Sequence, residues 1–258
     1  MKNLTPILIL LAFFLCCDSQ VPAGFKGASV YRTANFRIHF HEATYNSQEI
    51  QTIAQKKERL LQRITNILQV DFNKVIETYL HSTGYVSYAY SDRPEVHETR
   101  YYVEEDNGHE IAHIVVFDKL GYNSSQFMVE GIAVMLEYNR LDPITTFQNL
   151  FAFNRNCYYS MGHGNTIGSR FLDNTFTGSW YEYKEAGAFL YYLSQVYGIE
   201  AVKELYKAGV GVSKSNFRET TEMVFVEIFD ISFKEAETYF VHTYLHTVIG
   251  HLNHCLYD

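Results

Sequence analysis

Proline is scarce in this chain, 4 in 258 residues, and glycine is modest at 15. With 47% of residues hydrophobic, that shortage excludes a disordered or fibrous chain and leaves enough apolar mass for a core. Charge is thin as well, at 19% of residues, and 21 basic against 29 acidic side chains give a net charge of -8. No block of Lys and Arg occurs, which excludes the usual electrostatic footprint of a nucleic-acid binder. There is no internal repeat, low-complexity tract, phosphate-binding loop, dinucleotide fingerprint or Gly-x-Ser-x-Gly elbow. Tryptophan occurs once, whereas Tyr occurs 21 times and Phe 19 times, so any single tyrosine is weak as a functional signal.

Long apolar runs are also missing, except near the start. Met1-Lys2-Asn3 precedes an unbroken apolar run from Ile7 to Leu15, and Cys16-Cys17-Asp18-Ser19 follows. This is the anatomy of a secretory signal peptide over residues 1–17, too short for the roughly 20 residues of a membrane span. The cysteine pair looks like a bacterial lipoprotein signal, so lipid on Cys16 or Cys17 is expected. Plain cleavage near Ser19-Gln20 is the alternative. The chain is therefore expected to be exported and anchored to a membrane. Residues 18–30, polar and carrying Pro22, Gly24 and Gly27, read as a tether. Two cysteines remain, Cys157 and Cys255, and in an oxidising compartment they either form one bridge or stay as two thiols.

The first third reads as strand, helix and further strands. Phe36, Ile38 and Phe40 alternate with polar neighbours, and Ser47 caps a helix with an apolar stripe from Ile50 to Leu68. Strands are expected over Lys74–Leu80, Tyr85–Tyr90 and Thr99–Val103. Beyond that the chain reads as helical over about 107–119, 126–139, 144–153, 183–197, 199–208, 216–228 and 232–249. A long polar stretch, Asn154 to Gly178, interrupts it, and long loops are often functional.

His109-Glu110-Ile111-Ala112-His113 carries the chemistry. On a helix the two histidines share one face, one turn apart, and two imidazoles so placed can hold one zinc ion. Glu110 flanks that face and can take a proton from a water at the metal. Asp106 or Asn107 is available as N-cap, and Gly121 marks the helix end. A second helix then carries Glu130. The first runs about 10 Å beyond His113 and the second climbs back about 7.5 Å, which returns Glu130 to the level of the histidines. Its neighbours Phe127, Val129, Ile132 and Val134 are apolar, so the carboxylate needs a partner, and a zinc ion would be one. Gly131 is expected to let the first helix approach. Glu137, nearly in line with Glu130, is either the acceptor for the second N–H of a zinc-bound histidine or an exposed charge at the helix end.

His-Glu-x-x-His followed by Glu130-Gly131-x-Ala133-x-x-x-Glu137 resembles the gluzincin metallopeptidases, and more narrowly the bacterial peptidase MA-like families. Tyr183-Lys184-Glu185-Ala186-Gly187-Ala188-Phe189, leading into Tyr197-Gly198, resembles their later helix. Ile228-Phe229-Asp230-Ile231-Ser232 resembles their closing turn. The likeness covers about 31–246. It implies an α+β fold: a small N-terminal sheet subdomain over 31–105, packed on a mainly helical zincin-like part over 106–258. It implies one zinc ion on His109, His113 and Glu130, with Glu110 as base and Tyr183 assisting the oxyanion, Tyr181 being the second choice. Phe127 is the aromatic nearest the position where such families carry Trp. The Gly-x-Met-Glu-Asn segment that grips an amino terminus is missing, which favours an endopeptidase acting on peptide or protein substrates.

His242 and His246 repeat the i, i+4 spacing but lack a following Glu and a third ligand, and read as helix surface. His163 lies in the long polar stretch. Two other classes of function compete. A non-catalytic cell-surface binding protein would not need Glu110. A structural zinc protein would want four ligands, usually with cysteine.

Overall fold

The computed structural model describes residues 21–84, 87–105, 107–137, 142–149, 167–173, 175–213 and 215–245. Cys16, Cys17, Cys157, Cys255, His163, His246, His251 and His254 lie outside the described residues.

A five-stranded mixed sheet forms the N-terminal half. Its strands are β1 (Ser29–Arg32), β2 (Phe36–Phe40), β3 (Ile76–His81), β4 (Tyr88–Ala89) and β5 (Glu95–Thr99), in spatial order β1-β2-β3-β5-β4. The inner three, β2, β3 and β5, run parallel, and the two edge strands are antiparallel to their neighbours. The parallel β2–β3 pair needs a crossover, which helix α1 (Ser47–Leu68) supplies. Ile50, Ala54, Leu60, Leu61, Ile64 and Leu68 are buried along one of its faces. Its cap is Asn46, one residue before the expected Ser47. The Asn46 side chain accepts from the backbone N–H of Gln48 and Glu49, and Glu49 bonds back to the Asn46 N–H.

Two further expectations fail in this half. The strand expected over Thr99–Val103 is Glu95–Thr99, and α2 (Arg100–Glu105) follows it at once. Every residue of β5 is buried, so the alternation that marks a half-exposed strand is absent there. The expected tether is docked over its second half. Ala23–Phe25 form a 3-10 turn, with the Phe25 ring against Tyr79, His81 and stacked on His41, and β1 starts at Ser29.

The remainder is mainly helical. It comprises α3 (His109–Leu120), α4 (Gln126–Leu136), α5 (143–149), α6 (Ile167–Leu172), α7 (Trp180–Tyr197), α8 (Ile199–Ala208), α9 (Phe217–Phe229) and α10 (Phe233–Phe240), with a wider turn at Val241–Leu245. The molecule is thus α+β in class. α6 lies inside the stretch expected to be loop. Its Arg170 bonds both carboxylate oxygens of Glu185 on α7, at 2.5 and 2.6 Å, and both side chains are buried. Gly131 serves α7 and not α3: a Cβ there would sit 3.0 Å from the Ala186 Cβ. Gly187 returns the favour, since a Cβ on it would lie 2.7 Å from the Val134 Cβ. Two glycines facing across the contact let α4 and α7 pack backbone to backbone. No helix among the described residues is long and apolar enough to cross a membrane.

Candidate metal centre

α3 begins where the chain turns under α1. Gly108 takes φ +90° at its N-cap, and a Cβ there would press on Leu60 and Ile64 of α1. That left-handed turn is open to glycine and strained for other residues. The cap is therefore Gly108, while Asn107 accepts the His109 backbone N–H at 3.2 Å and Asp106 lies outside the described residues. His109 and Glu110 occupy the first turn, with His113 one turn on. Ile111, Ala112, Ile114 and Val115 on the other faces are buried and fix the rotation of the helix.

Glu130 meets both histidines. One carboxylate oxygen lies 3.3 Å from His109 Nε2 and 3.3 Å from His113 Nε2, and the two Nε2 atoms are 3.1 Å apart. The three ligand atoms fall within 4.8 Å of one another. Glu137 lies at the C-terminal end of α4, almost fully buried. Its Oε1 is 2.7 Å from His109 Nδ1, and its Oε2 accepts from Lys184 Nζ at 2.8 Å. A carboxylate at Nδ1 favours a proton there, so a metal that displaces any proton from Nε2 would meet the tautomer a ligand needs, with Nε2 facing Glu130 and His113. His113 Nδ1 is buried without a hydrogen-bond partner among the described residues. Two imidazoles and one carboxylate, with an open cleft on the remaining side, are a donor set that fits a zinc ion.

The electrostatics follow from crowding these groups together. Burial opposes charging of Glu130 and Glu137, but bonds to the histidines, and to Lys184 for Glu137, outweigh it and hold both carboxyls down at about 2. Burial also opposes the His109 cation, yet Glu130 and Glu137 lift it to about 10. Glu110 moves the other way: burial dominates over the nearby histidines and raises it above the usual carboxylate range.

The cleft, about 340 Å³, is lined on one side by Ser87, Tyr88, Ala89 and Ser91 around the edge strand β4. Glu110, both histidines and Glu130 form its floor, and Phe117, Tyr122, Gln126, Val129 and Tyr183 complete the wall. Tyr183 sits in the first turn of α7, which Ser179 and Glu182 cap reciprocally. Its ring centroid is 6.2 Å from that of His109, and it leans on Phe176 at 5.4 Å. Burial and the Glu130 and Glu110 carboxylates push its phenol up to about 12. Tyr181 packs against Trp180 and does not line the cleft. His242 lies far along the chain in the turn after α10 and is no part of the cluster.

Sequence reasoning missed Lys184, Phe117 and Tyr122. Phe117 was findable, because it stands four residues after His113 on the same helix face. Lys184 had no signal, since only the packing of α7 on α4 brings it to Glu137.

No family model matches the chain. No curated protein matches it. Among solved structures, a mutant of an M1 zinc metallopeptidase from Deinococcus radiodurans, bound to a Tyr-Ser-Ala substrate, is similar with a TM-score of 0.47 and 12% identity. The similarity covers 83% of this chain and 50% of that one, so the chain spans about half its length.

Proposed function

We propose that this chain is a zinc metallopeptidase with a zincin-like arrangement, acting as an endopeptidase on peptides or proteins. The observation that carries the reading is the convergence of His109, His113 and Glu130 within 4.8 Å on the floor of a cleft that Glu110 also lines. His109, His113 and Glu130 would hold the ion. Bound there, zinc would supply polarisation of the scissile carbonyl and acidification of water.

The chain's own groups do the rest. Glu110 takes the proton of the attacking water and passes it to the leaving amine. Burial raises its affinity for protons, the direction that favours accepting one. Tyr183, protonated well past neutral pH, donates to the oxygen that gains charge as the carbonyl carbon becomes tetrahedral. Glu137 holds His109 in orientation. β4 is an edge strand beside the cleft, where an extended peptide can pair through its backbone. A binding protein that had abandoned catalysis would have no use for a half-buried carboxylate at Glu110. Export and a lipid anchor on Cys16 or Cys17 belong to the same proposal, and the intact mass of the mature protein tests them.

The deciding experiment joins metal and turnover. Purified protein should hold one zinc by elemental analysis and cleave members of an unbiased peptide library. His113→Ala should lose the metal. Glu110→Gln should keep the metal and lose hydrolysis, because an amide cannot accept the proton. Zinc-free protein, or wild-type cleavage by Glu110→Gln, would sink the reading.

A further inference from the structure

The cleft is not uniform along its length. Tyr183 stands over His109 at one end, and His113 leads away from it to a different kind of wall. The Phe117 ring stacks on His113 at 5.4 Å and 14°, and Tyr122 leans on Phe117 at 5.4 Å. Val129, one residue before Glu130, lines the cleft with them. Tyr122 is 47% exposed, an unusual state for a ring packed on a core helix. Its hydroxyl accepts from Gln126 Nε2 at 2.9 Å, which anchors the far end of the ring and leaves the ring face to the cleft. Among the residues lining the cleft, formal charge is confined to Glu110, Glu130 and the two histidines. A charged side chain lying on the Phe117–Tyr122 wall would lose water against two uncharged rings, whereas an apolar one would lose only unfavourable hydration. Past Phe117 the character changes. A second groove shares Ser91 and Phe117 and is lined by Lys74, Asp92, Arg93 and Asp118. Its cations are already engaged, Lys74 with Asp118 at 2.5 Å and Arg93 with Glu95 at 3.0 Å.

We infer that the Phe117–Tyr122–Val129 wall is a specificity subsite that takes a large apolar side chain, aromatic or branched aliphatic, from the substrate residue lying beside His113. This rests on the metallopeptidase reading and adds to it a preference that the metal ligands themselves do not dictate. The wall is offset from the metal ligands along α3, so the preference should fall on one residue flanking the scissile bond and not on both.

The test uses zinc-loaded protein and a series of dipeptide hydroxamates that differ in one side chain: benzyl, isobutyl, methyl, carboxyethyl and aminobutyl. Dissociation constants are read by displacement of a fluorescent hydroxamate. Benzyl and isobutyl compounds should bind about tenfold or more tighter than the methyl compound, and the two charged ones no tighter than methyl. Tyr122→Ala and Phe117→Ala should each bring the benzyl compound toward the methyl value while the zinc content stays at one. Tyr122, being half exposed, is the safer substitution for folding. Zinc-dependent binding that is equal across the series, or tightest for a charged compound, overturns this inference and leaves the metallopeptidase reading standing. Absence of zinc-dependent hydroxamate binding, together with absence of library cleavage, overturns both.

Discussion

Glu137 serves two neighbours at once, His109 through one oxygen and Lys184 through the other. Lys184 holds the second oxygen and so helps fix the plane of the carboxylate and the aim of the first oxygen at His109 Nδ1. Groups that orient a metal-bound histidine typically matter by 10–100-fold in affinity. Lys184→Met should therefore weaken zinc binding by about that factor, measured by competition with a chelator, and Lys184→Arg should recover most of it. Unchanged affinity in Lys184→Met would show that Glu137 needs no second anchor. Tyr183 poses a different question, because its hydroxyl is useful only as the tetrahedral species forms. Tyr183→Phe should keep its zinc and its KM and lose about 10²–10³ in kcat, equivalent to about 2.7–4 kcal/mol. A lowered melting temperature with turnover near wild type would make Tyr183 structural. A turnover loss in Tyr181→Phe instead would be hard to reconcile with its position against Trp180, outside the cleft.

Elements position these residues through very close packing. α4 carries Glu130, and α7 carries Lys184 and Tyr183, so the distance between the two helices sets the width of the site. Gly131 and Gly187 fix that distance from opposite sides. A methyl group on Gly187 would fall 2.7 Å from the Val134 Cβ, closer than real Cβ atoms come. Overpacking of this kind typically costs about 1–3 kcal/mol. Gly187→Ala should lower the melting temperature, and Val134→Ala in the same chain should restore part of it, because the two changes share one space. Additive losses in the double mutant would mean that the strain is absorbed elsewhere.

Across the molecule, His109, His113 and Glu130 tie α3 to α4, and Glu137 ties both to α7. A ligand that binds only the folded chain stabilises it by mass action, about 2.7 kcal/mol at a hundredfold excess over its dissociation constant. Zinc should raise the melting temperature of the metal-stripped protein in a concentration-dependent way. His113→Ala should melt at a temperature that zinc does not change. The sheet half reaches the site as well: β4 forms one wall of the cleft, while the buried Lys57–Glu98 pair, 2.6 Å long, joins α1 to β5 behind it. Removing one partner of such a buried pair is typically costly, so the two charges belong together at the junction of the sheet and its crossover helix.

The residues that converge in the cleft were legible from local pattern. His109 and His113 need only the repeat of an α-helix, and Glu130 was conspicuous as a carboxylate in an apolar run. Ile199–Ala208 and the strand Phe36–Phe40 were equally plain, because a local period and a Gly or polar boundary define them. Other features depend on what lies opposite. β5 shows no alternation because helices and neighbouring rings cover both its faces, so its sequence does not distinguish it from the helix that follows. Phe25 makes a docked turn out of an apparent tether because Tyr79, His81 and His41 stand ready to receive it. Gly131 announced a close approach without saying which helix approaches, and the answer, α7, follows from shape across the whole helical half. Local spacing determines which atoms can serve a metal. Which residues hold those atoms in place, and which side chains line the cleft beside them, is decided by contacts between segments far apart in the chain.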